Sequence, residues 1–194
     1  MAEPLTRSDL MSLEQYALQR SDFRSRVIAH KKHRRVGIGE FLYLYFEDRL
    51  TVQYQVQEML RIEKIFESEG IEEELNAYNP LIPDGSNLKA TAMLEYQDVD
   101  ERKRQLALLR GIEDQVWIQV DGFEPVYSIS NEDLERSNAE KTSAVHFMRF
   151  ELSSGMVSAL RSGAALKMGS SHECYPHHTT VDADVCEALL GDLS

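Results

Sequence analysis

The stretch Thr51 to Ile65, TVQYQVQEMLRIEKI, carries two periodicities at once. Val52, Tyr54 and Val56 alternate with Gln53, Gln55 and Gln57, as in a strand with one buried face. Yet Val52, Val56, Met59, Leu60 and Phe66 share one arc when successive residues turn by about 100°. Length decides between them. No Gly or Pro interrupts the chain between Asp48 and Gly70, and strands rarely exceed about ten residues. The pattern therefore predicts one long central helix from Leu50 to about Ser68, with Asp48 as its N-cap. Glu63 falls inside the apolar arc of that helix.

The same reading extends along the chain. Ser8 or Asp9 caps an opening helix bearing Leu10, Leu13, Tyr16 and Ala17, and a second helix runs from about Asp22 into HKKHRR, His30 to Arg35. EFLYLYFE is apolar on both faces and predicts a buried strand. Ile71 to about Asn79 is a short helix that Pro80 ends, and Pro83-Asp84-Gly85 is a turn. LKATAMLEY predicts a strand and Asp98 to Asp114 a helix. VWIQVDGFEPVYSIS predicts two strands around Asp121-Gly122. Asn131 to Thr142 is polar, a short helix or loop. AVHFMRFELS, ALKMGSS and HTTVDAD predict strands, with helices over Met156 to Gly163 and Val185 to Leu193. Strands outnumber what a βαβ alternation supplies. The predicted class is α+β, a mostly antiparallel sheet packed with N-terminal helices and one long central helix. One domain over residues 1–194 is expected, helical to about residue 80 and sheet-rich from about 86.

Composition narrows the functions. With 194 residues and 42% hydrophobic content, the chain can build a core. A formal net charge of −12 disfavours nucleic acid and anionic membranes, whose phosphates need a positive footprint. No apolar run reaches the roughly 20 residues that span a bilayer. MAEPLTRSDL lacks the blocks of a secretory signal, and Cys174 and Cys186 make no disulfide framework. A cytoplasmic protein is expected.

Three groups of residues carry candidate chemistry. A carboxylate at Glu63, inside an apolar arc, must be paired, protonated or at a cavity rim; the readings are a structural ion pair or a functional acid. Glu58 and Arg61, three apart, are helix-surface neighbours that can pair. HECYPHH offers His172, Cys174, His177 and His178 as donors suited to iron or zinc, but in a spacing that matches no standard structural zinc site. A turn at Pro176 explains the same segment without metal. HKKHRR reads as a solvated helix end whose cations complement the dipole, or as an anion contact. Gly37-Ile38-Gly39 lacks the further glycine of a dinucleotide fingerprint, and no Glu-x-x-His di-iron motif occurs.

Phe46-Glu47-Asp48-Arg49, Gln57-Glu58-Met59-Leu60-Arg61 and Tyr78-Asn79-Pro80-Leu81-Ile82-Pro83 carry a resemblance that continues through VHFMRFEL, SGAAL, SHECY and ALLGDL. Over nearly its whole length the chain resembles the bacterial domain of unknown function 3501 family. The resemblance implies a cytoplasmic accessory protein in oxidative-stress or redox metabolism, with rubrerythrin-like or iron–sulfur proteins as partners. It carries over Glu47, Arg49, Gln57, Glu58, Arg61, Tyr78, Asn79, His172 and Tyr175 as matched positions. Cys174, His177 and His178 lie outside the family pattern, which weakens the metal reading. Two functions stand at this point. One is a binding or accessory protein with a polar pocket near the YNPLIP loop. The other is a metal-dependent enzyme or metalloprotein, with Glu63 or Glu58 as base and His172 as ligand or acid.

Overall fold

The computed structural model describes residues 3–132, 137 and 141–194. Helix α1, Leu13–Lys31, is a single rod. Its N-cap is Ser12, whose side chain accepts from the Gln15 amide while the Gln15 side chain accepts from the Ser12 amide. The expected break near Asp22 is absent, and the cap lies beyond Ser8 and Asp9.

Strands β1, Arg35–Ile38, and β2, Leu42–Phe46, form a hairpin. Leu42, Leu44 and Phe46 point into the core, while Tyr43 and Tyr45 are only half-buried on the other face. EFLYLYFE is thus buried on one face only. Its tyrosines keep polar tips: the Tyr45 hydroxyl donates to Glu95 at 2.6 Å, and the Arg35 guanidinium lies 3.8 Å from the Tyr43 ring centre.

Helix α2, Arg49–Glu63, starts where the sequence predicts. The Asp48 side chain accepts from the Thr51 amide, and the Thr51 hydroxyl oxygen accepts from the Asp48 amide, both at 2.9 Å. It ends early. Lys64 takes the left-handed conformation at φ 57°, and the Ile65 amide donates back to the Leu60 carbonyl at 2.9 Å. Ile65 then packs against the apolar cluster that includes Leu60, Ile71 and Leu75, so this chain reversal is sealed by burial. Phe66 is outside the helix and 69% exposed. The long central helix is two: α2, then α3, Ser68–Tyr78, whose Ile71 and Leu75 pack on Val52, Val56 and Leu60. The opposite side of α2 meets α1, where Tyr16, Phe23 and Val27 close around Leu50 and Tyr54.

The remaining elements are β3, Asn87–Leu94; α4, Val99–Leu108; β4, Val116–Val120; β5, Val126–Tyr127; β6, Ile129–Ser130; β7, Val145–Glu151; α5, Ser154–Arg161; β8, Leu166–Ser170; β9, His178–Thr180; and α6, Ala183–Leu190. The short helix or loop expected over Asn131 to Thr142 falls largely on residues 133–136 and 138–140, outside the described ones. All strand pairings are antiparallel, in two sheets ordered β1-β2-β3-β7-β6 and β5-β4-β8-β9. The Asp121-Gly122 turn joins β4 to β5, pairing Trp117 with Tyr127. Alternate residues of both sheets enter one core: Leu88, Ala90 and Ala92 of β3, Phe150 of β7, Ile118 and Val120 of β4, Met168 of β8. The other face of the five-stranded sheet is left for α2 and α3.

The basic run holds a surprise. Arg34 is 2% exposed, not a solvated helix end. Its guanidinium donates to the carbonyls of Phe46 and Glu47, each at 3.1 Å, and of Ala188 at 3.3 Å. It also pairs with Asp192 and lies 3.6 Å from Asp48, which His30 touches as well. One cation thereby ties the end of β2, the start of α2 and the C-terminal segment together. No helix among the described residues is long and apolar enough to cross a membrane.

Candidate functional site

Outward-facing residues of β3 and β7 form the floor of a cleft of about 550 Å³. Strand register places Lys89 opposite Arg149 and Thr91 opposite Phe147. Like charges directly opposite repel, so both need compensation. Arg149 has it in full. Its Nε and Nη2 donate to the two oxygens of Glu132 at 2.9 and 2.7 Å, and Nη1 pairs with Glu151. That pairing raises the arginine's pKa and lowers the Glu132 carboxyl.

Lys89 is held differently. Its Nζ donates to the carbonyls of Pro80 and Ile82 at 2.7 and 2.9 Å. Among the described residues it forms no ion pair. Burial lowers its pKa, because a desolvated ammonium is less stable than one in water.

The wall opposite the floor comes from α3 and the turn that follows. Pro80 cannot continue the helix, so Asn79–Leu81 tighten into a 3₁₀ turn. Asn79 fixes where that turn lies: its side chain accepts from the Leu5 amide at 2.8 Å and donates to the Leu5 carbonyl at 2.9 Å. Ala77, Tyr78, Pro80 and Leu81 then line the cleft, with Met59 reaching in from α2 and Phe147 below. Glu74 stands on the same wall. Burial raises its pKa, and the neighbouring Glu63 and Glu73 push it the same way. The site is therefore an apolar trough with a half-buried ammonium at the turn and a half-buried carboxyl further up α3.

Of the residues singled out in the sequence, Tyr78 lines this cleft. Glu58 and Arg61 do meet, at 3.2 Å, but on the side of α2 that faces α1. There Glu58 also accepts from the Tyr16 hydroxyl at 2.6 Å and from Arg20 at 2.7 and 2.8 Å. These donors, the Arg20 guanidinium foremost, hold its carboxyl down at about 2. Gln57 is buried and accepts from the Met11 amide at 2.6 Å. Glu47 bridges Thr51 and Thr91 at 2.6 and 2.7 Å, joining helix to sheet. Arg49 pairs with Asp9 at 2.6 Å and donates to the Glu3 carbonyl. Glu63 is not buried in the apolar arc. The helix stops at that residue, so its side chain, though on the right arc, has no neighbour to cover it and is exposed.

The HECYPHH segment packs against the other sheet. His172 is buried, its Nε2 3.1 Å from the Arg110 carbonyl and its Nδ1 accepting from the Cys174 amide at 3.2 Å. Both ring nitrogens are thus engaged. Cys174, His177 and His178 are exposed, and no three His, Cys, Asp or Glu side chains converge as a metal site among the described residues. Tyr175 is a clamp on the β1–β2 turn: its hydroxyl accepts from the amides of Phe41 and Leu42 at 2.8 and 3.1 Å and donates to the Ile38 carbonyl at 2.8 Å. Gly39, at φ +65°, makes room; a Cβ there would meet that hydroxyl at 2.7 Å. Lys89, Arg149 and Glu132 carry no local signal that marks them in the sequence. Only register across two strands brings them together.

The chain is similar along almost its whole length to a protein of unknown function from Burkholderia pseudomallei K96243, known from a crystal structure. The two are 54% identical, with a TM-score of 0.94, and the match covers 99% of this chain and 100% of that one. No curated protein matches. Residues 4–193 match the family described as protein of unknown function, DUF3501. The chain belongs to the DUF3501 family.

Proposed function

We propose that this protein is a non-catalytic binding or accessory protein, which takes a small amphipathic molecule into the cleft between α3 and the outer sheet face. One observation carries the reading. The cleft of about 550 Å³ joins apolar walls to a few charged groups held in place by the fold, and its size lies within the roughly 300–1,000 Å³ of small-molecule sites. The wall is also braced: Asn79 and Lys89 fix the turn that carries it, so little order is lost on binding. The redox setting, with rubrerythrin-like or iron–sulfur partners, rests on the family resemblance and gives the binding role its context.

The test is a neutral apolar probe, N-phenyl-1-naphthylamine, whose fluorescence rises in apolar surroundings. The wild-type protein is expected to bind it saturably. Ala77→Trp, at an exposed helix position on the cleft wall, should fill the trough and abolish that signal while unfolding at the same urea concentration. No saturable binding, or binding undiminished in Ala77→Trp, would refute the reading.

A further inference from the structure

We infer that the ligand of this cleft is an amphipathic monocarboxylate, its acid group seated on Lys89 and its apolar body along Met59, Tyr78, Leu81 and Phe147. This rests on the binding role proposed above and adds the chemical class. Two cations face each other on the floor, but their circumstances differ. Arg149 already has a carboxylate on every guanidinium nitrogen, so its charge is balanced by Glu132 and Glu151. Lys89 has two backbone carbonyls, which use two of the three donors of an ammonium. Carbonyl dipoles do not neutralise its charge, and the carboxylates that act on it, those of Asp84, Glu132 and Glu151, do so from beyond hydrogen-bond reach. A half-desolvated cation with no carboxylate bonded to it among the described residues, on an apolar wall, is matched by a single anion arriving with an apolar body.

The other end of the trough sets the number of charges. Glu74 precedes Tyr78, the last residue of α3, by four residues, about 6 Å along a helix rising 1.5 Å per residue, so it stands back from the turn that holds Lys89, and Glu63 and Glu73 add their repulsion to it. An acid at that end meets like charge in a partly dry site. A dicarboxylate of the same length is therefore excluded, and the ligand's orientation is set: acid at the turn, apolar tail up α3.

Calorimetric titration with sodium decanoate, decanamide and disodium decanedioate near neutral pH tests this. Decanoate should bind roughly tenfold more tightly than either of the other two, the size of one charge-assisted hydrogen bond formed or one like-charge approach avoided. Lys89→Met should remove the preference for acid over amide. Because Lys89 also braces the turn, a second variant is needed: Glu74→Gln should bring decanedioate to within a few-fold of decanoate without touching Lys89. Equal affinity for acid and amide, an acid preference that survives Lys89→Met, or continued exclusion of decanedioate by Glu74→Gln would overturn the inference. If the neutral naphthylamine probe binds and is lost in Ala77→Trp while decanoate does not bind, the ligand class is wrong and the cleft role stands. If the probe fails as well, both fall.

Discussion

Glu58 gives the sharpest test of whether the acid–base groups of α2 are scaffold or site. Its two oxygens accept four donors, from Tyr16, Arg20 and Arg61, and its side chain is only 13% exposed. A carboxyl held at about 2 instead of its ordinary 4.5 has its charged form favoured by roughly 3 kcal/mol, at 1.36 kcal/mol per pH unit. Arg20, the main donor, is 35% exposed, so solvent screens the pair and about half of that is a fairer figure. Glu58→Gln keeps the shape, loses the charge and turns an amide NH₂ towards Arg20. It should lower stability by ~1.5 kcal/mol in urea unfolding followed by far-ultraviolet circular dichroism at neutral pH. The sign of the pH dependence follows from the depressed carboxyl. Its contribution is fully present above the ordinary 4.5 and disappears as pH falls through about 2, so wild type and variant should converge over that window. A gap that is absent at neutral pH, or that stays constant to pH 2, would refute this account. A variant that unfolds like wild type yet loses naphthylamine binding would return Glu58 to the functional site.

Asp192 should behave in the opposite sense. Burial pushes its carboxyl up to about 6 even with Arg34 against it, so its contribution is full below the ordinary 3.8 and is lost as pH rises through about 6. Asp192→Asn should flatten the change in melting temperature between about pH 4 and 6; a profile parallel to wild type would count against the buried cluster. Lys64→Gly should raise stability by about 0.5–1 kcal/mol, because the left-handed conformation strains any residue with a Cβ. An unchanged or lowered urea midpoint would show that the strain is relieved some other way.

Local signals were legible where neighbouring residues suffice to produce them. Asp48 followed by Thr51 makes an N-cap from atoms three residues apart, and α2 starts there. Pro80 ends α3 through its own ring, and Asp121-Gly122 turns β4 into β5. The end of α2 was not legible, because Lys64 sits where glycine usually signals the stop, and the reversal is held by Ile65 packing on the cluster shared by α2 and α3. That packing belongs to the α2–α3 layer. Glu63 was misplaced for the same reason: periodicity states which arc a side chain lies on, not whether anything covers it.

By itself the sequence determined an α+β chain, an acidic surface, the strand and helix types, and membership of a family whose motifs run its whole length. Alternation and capping depend on residues a few positions apart, so they survive as pattern. Tertiary structure alone decided the burial of Arg34 within a basic run, the engagement of His172 by Arg110 and Cys174, and the meeting of Lys89 with Arg149 and Glu132 beneath α3. Such pairings join residues up to 158 positions apart, as Arg34 and Asp192 show. They exist only once sheet register and layer packing have brought distant segments to the same place, and no local periodicity encodes that.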